Sequence, residues 1–569
     1  MKNCVKYVTL GVLLLLTVAS IFGGTTEGQQ RGGTLIYHTF REMQYFNQVA
    51  GPMAMYACLQ IYDELVGVSV RTAKVMPNLA ESWESSTDLK TWTFHLRNNV
   101  KWHDGKNFTS ADVKYTFEGI LGLDQNRTAG GPYSGSAWIT EVQSIEAPNN
   151  YTVVFHLSRP SGTFLSRLNG RGSGTTAILP MHLYNGTNWK TNPVNNNPVG
   201  TGPFKFLEKT AGGDFIAIAN DNYFRGRPHL DRIICRYIAD NSLATLAFAN
   251  EEINWLMQID SMSQYKQLVS LMNVTGEISY FGHGISLEFN LLKQPWSNLK
   301  VRQAINYAIN KTALNQKVYL GLGKVAKSQF PEVDGSNWWI TKDYELPGYN
   351  LTKANELLDG ALYPRNTDGT RFSADISFCT AWADMKDVAE VVKQNLAAVG
   401  INLNLKLMDY GTWEAKIFPQ HDFDLNVDFA LTPIDPEFTA LRFRSGAYWN
   451  SMSYNSTKFD NLVNQGEVEL NQSKRAPLYY QAQEILSQDL PWIGLLVRPG
   501  GAAWRSNVHN MLNEDLFQIG VDTWIEESSI SPSPQPAALP MEWIAVAIIA
   551  SAAVIAGAAF LLVRRRTKK

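Results

Sequence analysis

Apolar and polar residues recur with strand or helix periodicity in separate segments of the chain. Ser286–Asn290 alternates as a half-buried strand does, and Pro295 ends that pattern. From Val301 onward the apolar positions recur at helical spacing, after Ser297 or Asn298 as candidate caps. A strand, a sharp stop and an amphipathic helix in mid-chain predict a βα unit, which suits a crossing between two lobes.

Other segments predict a sheet covered by helices. The helix predicted at Asp387–Val399 has its apolar positions on one face, and Gly400 ends it directly before a strand. Such an αβ unit is typical of a mainly parallel sheet, so the pattern predicts an α/β fold. Strands are predicted at Gly32–His38, Thr91–Leu96, Tyr151–Leu157, Ile401–Leu407 and in a hairpin of Phe204–Leu207 with Phe215–Ala219.

Both ends of the chain carry membrane signals. Lys2 and Lys6 precede the apolar run Val8–Val18, which predicts a secretory signal peptide over residues 1–24. At the other end Trp543–Val563 is apolar and long enough to span a bilayer, which predicts a transmembrane helix at 541–563.

The flanks of that helix predict its orientation. The basic tail, residues 564–569, stays in the cytoplasm by the positive-inside rule, so the bulk of the chain is extracellular. Residues 526–540 are rich in Ser and Pro and predict a linker. We therefore expect a single-pass protein of the cell membrane, with ends typical of an archaeal envelope protein.

Composition narrows the class of protein. At 569 residues, with 45% hydrophobic and 18% charged residues, the chain is a globular protein of two or more domains. Without Lys2, Lys6 and the five cations of the tail, 43 basic residues face 52 acidic ones, an excess of nine negative charges. A nucleic-acid partner would require the opposite sign.

The part of the chain that is expected outside the cell contains cysteines and Asn-x-Ser/Thr sequons. Cys58, Cys235 and Cys379 remain after the signal peptide and permit one disulfide, with no CxxC pattern for a metal; no metal and no cofactor is expected. The number of Asn-x-Ser/Thr sequons indicates a glycoprotein. The sequons begin at Asn107, Asn126, Asn150, Asn185, Asn273, Asn310, Asn350, Asn455 and Asn471.

Three stretches are more specific than any periodicity. They read LAESW…TWTFHLRNNVKWHDG…FTSADVKYTFE within Pro77–Glu118, PVGTGPFKF from Pro198, and LEFNLLKQPWSNLKVRQAINYAINK from Leu287. All three resemble the extracytoplasmic solute-binding proteins of ABC importers, of the peptide/nickel class (oligopeptide- and dipeptide-binding, family 5). The resemblance runs from about Gly32 to Asp522.

The resemblance implies a two-lobed, periplasmic-binding-protein-like α/β fold with an extra subdomain in the first lobe. The first lobe is expected at 31–275, with the subdomain inserted at about 70–195, and the second lobe at 276–490. Residues 491–525, beginning with the apolar run Pro491–Val497, are expected to return to the first lobe.

The implied function is that of a receptor without catalytic residues. It captures (oligo)peptides by hinge closure and delivers them to ABC permease subunits that are driven by cytoplasmic ATPases, since the chain has no Walker motif. Oligosaccharides are the alternative ligand. A surface-anchored hydrolase and a structural envelope protein are alternatives of other classes, and His103-Asp104 is interpreted as a structural turn rather than a catalytic pair.

The ligand is expected at the strand ends between the lobes. An acidic residue that pairs with a peptide's amino group in relatives falls on Thr432, which weakens the free-peptide interpretation. Asp435 could replace it or be structural, and each aromatic side chain could belong to the core instead. The expected ligand-binding residues are Met43, Tyr45, Phe46, Trp382, Tyr410, Thr432, Asp435, Trp449 and Asn450.

Overall fold

The computed structural model describes residues 31–526 apart from short gaps. The chain divides into two units, residues 1–525 and 526–569, and every helix and strand of the described residues belongs to the first. The predicted signal peptide and transmembrane helix lie outside the described residues, among which no helix is both long and apolar enough to cross a membrane. The gaps are 41, 44–45, 48, 51–58, 70–71, 73, 125–127, 134–135, 137–138, 169–175, 260, 281–282, 335–336, 342–345, 383, 432–434 and 512–518.

Strands lie where the predicted alternation is strongest, at Thr91–Leu96 and in the hairpin of Phe204–Lys209 with Phe215–Ala219. The strands of the described residues are β1 Thr34–Thr39, β2 Val66–Val68, β3 Val75–Pro77, β4 Ala80–Ser85, β5 Thr91–Leu96, β6 Val142–Asn149, β7 Thr152–Leu157, β8 Phe204–Lys209, β9 Phe215–Ala219, β10 Arg232–Tyr237, β11 Trp255–Ile259, β12 Val274–Ser279, β13 His283–Phe289, β14 Lys324–Val325, β15 Phe372–Cys379, β16 Ile401–Met408, β17 Leu425–Leu431, β18 Trp492–Val497, β19 Gly500–Arg505, β20 Val508–His509 and β21 Trp524–Ile525.

Many helices begin at a polar cap, as the sequence predicts for the mid-chain helix, where the Asn298 side chain accepts a hydrogen bond from Lys300 N. The α-helices of the described residues are α1 Ser110–Leu121, α2 Phe164–Leu168, α3 Met181–Tyr184, α4 Asn241–Ala249, α5 Met262–Val269, α6 Leu299–Ala308, α7 Lys311–Tyr319, α8 Leu351–Gly360, α9 Asp384–Ala397, α10 Tyr410–Ile417, α11 Glu437–Ala440, α12 Thr457–Glu467 and α13 Gln472–Asp489.

Two large sheets give the two-lobed α/β architecture that the sequence predicts. The first sheet has the strand order β12-β19-β11-β1-β10-β9-β8, and the second has the order β14-β18-β13-β17-β15-β16. A separate small sheet, β4-β5-β7-β6, lies within the predicted subdomain of the first lobe. Both large sheets contain parallel pairs, β1 with β10 and β15 with β16, as the predicted αβ unit requires.

The chain crosses between the large sheets at two adjacent places. Strand β12 in the first sheet is followed by β13 in the second, and β18 in the second sheet is followed by β19 in the first. The two crossings run side by side, because Ser279 pairs with Gly500 in one sheet and Gly284 pairs with Val497 in the other. We call these two adjacent crossings the double hinge, because side-by-side connections between lobes are suited to act as pivots.

The position of β18 corrects one expectation. The sequence predicts that Pro491–Val497 returns to the first lobe, but its strand β18 is fully buried in the second sheet, between β13 and β14. An apolar run buried on both faces has no period to show which sheet it joins. The return therefore starts with β19, and the first crossing follows Ser279 rather than residue 275.

Two of the three motif stretches meet at His103. His103 accepts a hydrogen bond from Gly200 N at its Nδ1 (3.2 Å) and donates from Nε2 to Gly202 O (3.0 Å). Burial lowers the pKa of His103 to about 4, so the ring is neutral and both of its nitrogens are used. A Cβ on Gly200 would lie 1.8 Å from Ile61 O, so this position requires glycine. His103 is a structural residue, as the sequence predicts.

Candidate ligand-binding cleft

A cleft of about 860 Å³ lies between the two large sheets. Thr39 and Ile259 line it from the first sheet, at the carboxyl ends of β1 and β11. Trp382 and Phe429 line it from the second sheet, just after β15 and near the end of β17. The strand ends of both lobes therefore face one cavity, which is where ligands bind in open α/β sheets.

A buried polar group lies on the second-lobe side of the cleft. The Asp384 Oδ2 atom accepts hydrogen bonds from Tyr319 Oη and from Arg498 Nε, both at 2.6 Å. Asp384 starts α9, and Arg498 directly follows β18 at the hinge, so this group joins the cleft wall to the crossing. Burial, and then the neighbouring Asp384 carboxylate, raises the pKa of Tyr319 well above its usual value, which keeps the phenol protonated.

Histidines line the cleft from both lobes. His38 lies in β1, and its Nε2 donates to Ile238 O at 3.0 Å; burial lowers the pKa of His38, so its imidazole is neutral at pH 7. His283 begins β13 and packs edge-on against Phe429, with ring centroids 5.4 Å apart. The cleft thus offers imidazole groups beside apolar faces.

Aromatic rings form a continuous group at the second-lobe wall. Trp382 packs edge-to-face against Phe429 (4.5 Å), Trp413 (5.8 Å) and Tyr410 (6.0 Å). Tyr410 remains 46% exposed, so part of this residue is open to solvent. Edge-to-face packing holds the Trp382 ring in one orientation, which gives the cleft a rigid apolar surface.

The structure brings together some of the predicted site residues. Met43 and Trp382 line the cleft from opposite lobes, and Tyr410 packs beside Trp382. Trp449 belongs to the same aromatic group through Phe418, with ring centroids 5.1 Å apart. Their contact with a ligand stays a prediction.

Two predicted residues, Tyr45 and Thr432, lie outside the described residues. No outcome for them follows from the structure.

Three other predicted residues make contacts within the protein, and their contact with a ligand stays a prediction. Phe46 is 1% exposed and packs against Phe206 and Phe215, each at 5.1 Å, as a core aromatic. Asp435 accepts two hydrogen bonds from Arg475, at 2.7 and 3.0 Å. This ion pair corresponds to the structural role that is one of the two expectations for Asp435.

Asn450 is the third of these residues, and it shapes a turn. Its Nδ2 donates to Arg444 O (3.0 Å) and to Tyr454 O (2.7 Å), while its Oδ1 accepts from Tyr454 N (3.0 Å). Only 3% of the residue is exposed, and both N–H donors of its amide are used within the turn.

Sequence reasoning missed the polar group of Tyr319, Asp384 and Arg498. Asp384 is separated from Arg498 by 114 positions, so only the fold brings them together. A usable signal was present nonetheless: Arg498 is the first charged residue after a fully apolar strand, and Asp384 starts the helix after β15. Charged residues at such strand ends are candidates for a cleft.

Potential metal ligands are not grouped in the described part of the chain. There, no group of three or more His, Cys, Asp or Glu side chains could hold a metal ion. Cys235 and Cys379 are buried, Cys379 as a free thiol, and Cys58 lies outside the described residues.

Comparison with known proteins agrees with this architecture. The family model described as "Bacterial extracellular solute-binding proteins, family 5 Middle" matches residues 74–451. The heme-binding protein A of Haemophilus influenzae is 30% identical over 461 residues, covering 76% of this chain and 81% of that protein. The dipeptide-binding protein of Escherichia coli is 27% identical over 510 residues, covering 83% and 90%.

A solved structure shows the same fold. The periplasmic binding protein DppA of Helicobacter pylori, in complex with the peptide STSA, is 25% identical and superposes with a TM-score of 0.70 over 89% of this chain and all of that one. These similarities confirm the predicted resemblance, and they also confirm that the chain is a binding protein and not an enzyme. The chain belongs to the family 5 extracellular solute-binding proteins of ABC importers.

Proposed function

We propose that this protein is a membrane-anchored receptor that captures (oligo)peptides outside the cell and delivers them to an ABC permease. The observation that carries the proposal is the cleft of about 860 Å³ between the strand ends of two sheets joined by a double hinge. A ligand that contacts both walls stabilises the closed arrangement, and the closed form is what docks on the permease.

The proposed lobes follow the sheets. The first lobe comprises residues 31–279 and 500–525, including the small-sheet subdomain, and the second comprises 283–497. Ligand contacts are proposed at Met43 in the first lobe and at Trp382 and Tyr410 in the second. The aromatic surface suits side chains of varied shape, and polar groups such as Thr39 and Thr380 would orient a peptide main chain.

Peptide is the preferred ligand class because two of the similar proteins are a dipeptide-binding protein and one in complex with a tetrapeptide. Oligosaccharide is the second candidate, since sugar rings stack on exposed aromatic faces such as that of Tyr410. A relative named as heme-binding makes haemin a necessary comparison ligand.

The test uses the full chain purified from membranes. A fluorescent tetrapeptide library, a maltooligosaccharide mixture and haemin are each titrated, and bound peptide is recovered and checked by mass spectrometry. Saturable binding of unchanged peptides supports the proposal. Binding of saccharide or haemin alone would mean that the ligand belongs to that class and not to the peptides. Absence of binding to all three would refute the receptor function proposed for this cleft.

Variants then test the cleft. We expect Trp382→Ala to raise the peptide dissociation constant about tenfold or more, because an aromatic contact at the centre of a binding site is worth about 2 kcal/mol. Tyr410→Ala should weaken binding less, since that ring is half exposed. Exposed Tyr349 provides a control, and Tyr349→Ala should leave affinity unchanged. Unaltered affinity in both cleft variants would mean that the peptide binds elsewhere.

Anchoring is proposed from the sequence alone, through residues 541–563 with the basic tail in the cytoplasm. Truncation after residue 540 should release the protein into the medium. Retention of the truncated chain in the membrane fraction would contradict this assignment.

A further inference from the structure

Charged side chains of the small-sheet subdomain meet charged side chains of the second lobe at a place outside the cleft. None of these side chains lines the cavity. We call the six side chains involved the latch residues: Glu141, Arg159 and Arg167 from the subdomain, and Glu437, Arg444 and Glu467 from the second lobe.

Two arginines of the subdomain reach across to the second lobe. Arg167 donates from Nη2 to Glu467 Oε1 at 2.9 Å and lies 3.8 Å from Glu437 Oε1. On its own side, its Nη1 donates to Glu141 Oε1 at 3.3 Å. Arg159 donates to the same Glu467 oxygen at 2.6 Å. Glu467 of the second lobe is therefore bound by both arginines of the subdomain.

The second lobe fixes its carboxylates for this contact. Arg444 Nη2 donates to Glu437 Oε1 at 2.7 Å and to Glu467 Oε2 at 3.0 Å. The backbones also approach closely, since Gly162 N donates to Glu467 O at 2.7 Å. A Cβ on Gly162 would lie 2.8 Å from that oxygen, so this close approach depends on glycine.

The charges balance only while the two sides touch. The subdomain side carries two arginines and one glutamate, and the second-lobe side carries two glutamates and one arginine. Separation would leave one unpaired positive charge on the first side and one unpaired negative charge on the second. The side chains of Arg167, Glu437 and Glu467 are 9%, 2% and 5% exposed, so their attraction is little screened by solvent.

The two sides are packed into different hydrophobic cores. Phe164 and Leu168, which flank Arg167 in α2, belong to the core around the first sheet and the small sheet. Phe443 and Phe459, near Arg444 and Glu467, belong to a separate core under α12 and α13. A polar contact between separate cores can open without disrupting either of them.

We propose that the latch residues hold the subdomain against the second lobe in the closed state and thereby set the balance between open and closed protein. The proposal rests on the two-lobed receptor function, because only a protein that opens needs such a contact. The latch acts on ligand retention without touching the ligand: its charge pairs form on closure, and they slow reopening.

The test follows the distance between the two sides in the full chain. Fluorophores are attached at Ser144→Cys and Lys474→Cys, which are exposed positions on either side of the latch, and single-molecule energy transfer gives the distance distribution without ligand. Arg167→Met should create a longer-distance population at least ten times larger than in the unchanged latch. It should also speed release of the tetrapeptide library about tenfold. Arg227→Met, which breaks two ion pairs confined to the first lobe, is the matched control and should change neither.

Folding is separated from opening by milder variants. Arg159→Met and Glu467→Gln are used in case Arg167→Met does not fold, and the Arg159 side chain is 48% exposed. Both variants should shift the distances in the same direction as Arg167→Met. Unchanged distances and release rates in all folded variants would overturn the latch. If the latch variants open but the protein binds no peptide, the latch is supported and the proposed function is refuted. If the protein binds peptide but the distances do not change in the variants, the proposed function is supported and the latch is refuted.

Discussion

Lys311 is the strongest single test of the electrostatics of this fold. It is the first residue of α7 and only 8% of it is exposed, and its Nζ has no hydrogen-bond partner among the described residues. Burial lowers the pKa of Lys311 from 10.5 to about 7. The partial positive charge at a helix N-terminus disfavours an ammonium at this place as well.

The cost follows from linkage between protonation and folding. The unfolded chain binds the proton of Lys311 with a pKa of 10.5 and the folded chain with a pKa of about 7, so unfolding is favoured wherever the unfolded form holds more proton. At 1.36 kcal/mol per pKa unit, the free energy of unfolding is reduced by about 4 kcal/mol at pH 7 and by about 2 kcal/mol at pH 9. Below pH 6 both states are protonated and the cost is constant.

Replacement by an uncharged side chain of similar length removes this cost. We expect Lys311→Met to raise the free energy of unfolding by about 4 kcal/mol at pH 7, with the gain narrowing to about 2 kcal/mol at pH 9. Urea unfolding at both pH values, followed by circular dichroism, measures the difference. Lys317, exposed on the same helix, supplies the control Lys317→Met, which should change the free energy by less than about 0.5 kcal/mol. A variant no more stable than the original chain, or a gain independent of pH, would refute the reasoning.

Two other buried groups make comparable predictions. His103 is neutral in the fold, so the free energy of unfolding should fall by about 3 kcal/mol as the pH drops from 6.5 to 4, because the unfolded imidazole takes up a proton. In urea unfolding, His103→Gln should remove this dependence of the free energy on pH. A pH dependence that persists in the variant would show that His103 is not its source. Arg442 binds the carboxylates of Glu288 and Asp428 in the second lobe, so Arg442→Met should lower the free energy of unfolding by about 3–5 kcal/mol. An unchanged free energy in the same measurement would show that water replaces Arg442 as the hydrogen-bond partner of both carboxylates.

Local pattern predicted the elements whose faces differ in polarity. β5 alternates buried and half-buried residues over TWTFHL, and it lies over Thr91–Leu96 as predicted. The unit of α9 and β16 was found within three residues of its predicted bounds, because one face is apolar and Gly400, at φ +84°, ends the segment after the helix. In each case the residues that decide the structure are neighbours in sequence.

Contacts between distant segments were not predictable in the same way. β18 is apolar at all six positions, and nothing within it favours the second sheet over the first. Asn450 and Asp435 have the chemistry of ligand-binding residues, but Tyr454 and Arg475 satisfy them within the fold. A polar residue near a strand end is free for a ligand only if no closer partner exists, and that depends on how the rest of the chain folds around it.

The contacts between the two lobes differ in kind: they are apolar beside the crossings and charged at the latch. One hydrophobic core is continuous from Leu256 and Ile259 at the first sheet to Ile285 and Leu287 at the second, beside the double hinge. At the latch the two sides belong to different cores and meet through charges. An apolar contact loses stabilisation as soon as water enters it, whereas separated charges regain hydration. The hinge side therefore resists separation more than the latch side does, and opening should proceed as rotation about the crossings, exposing the cleft while the core beside them stays intact.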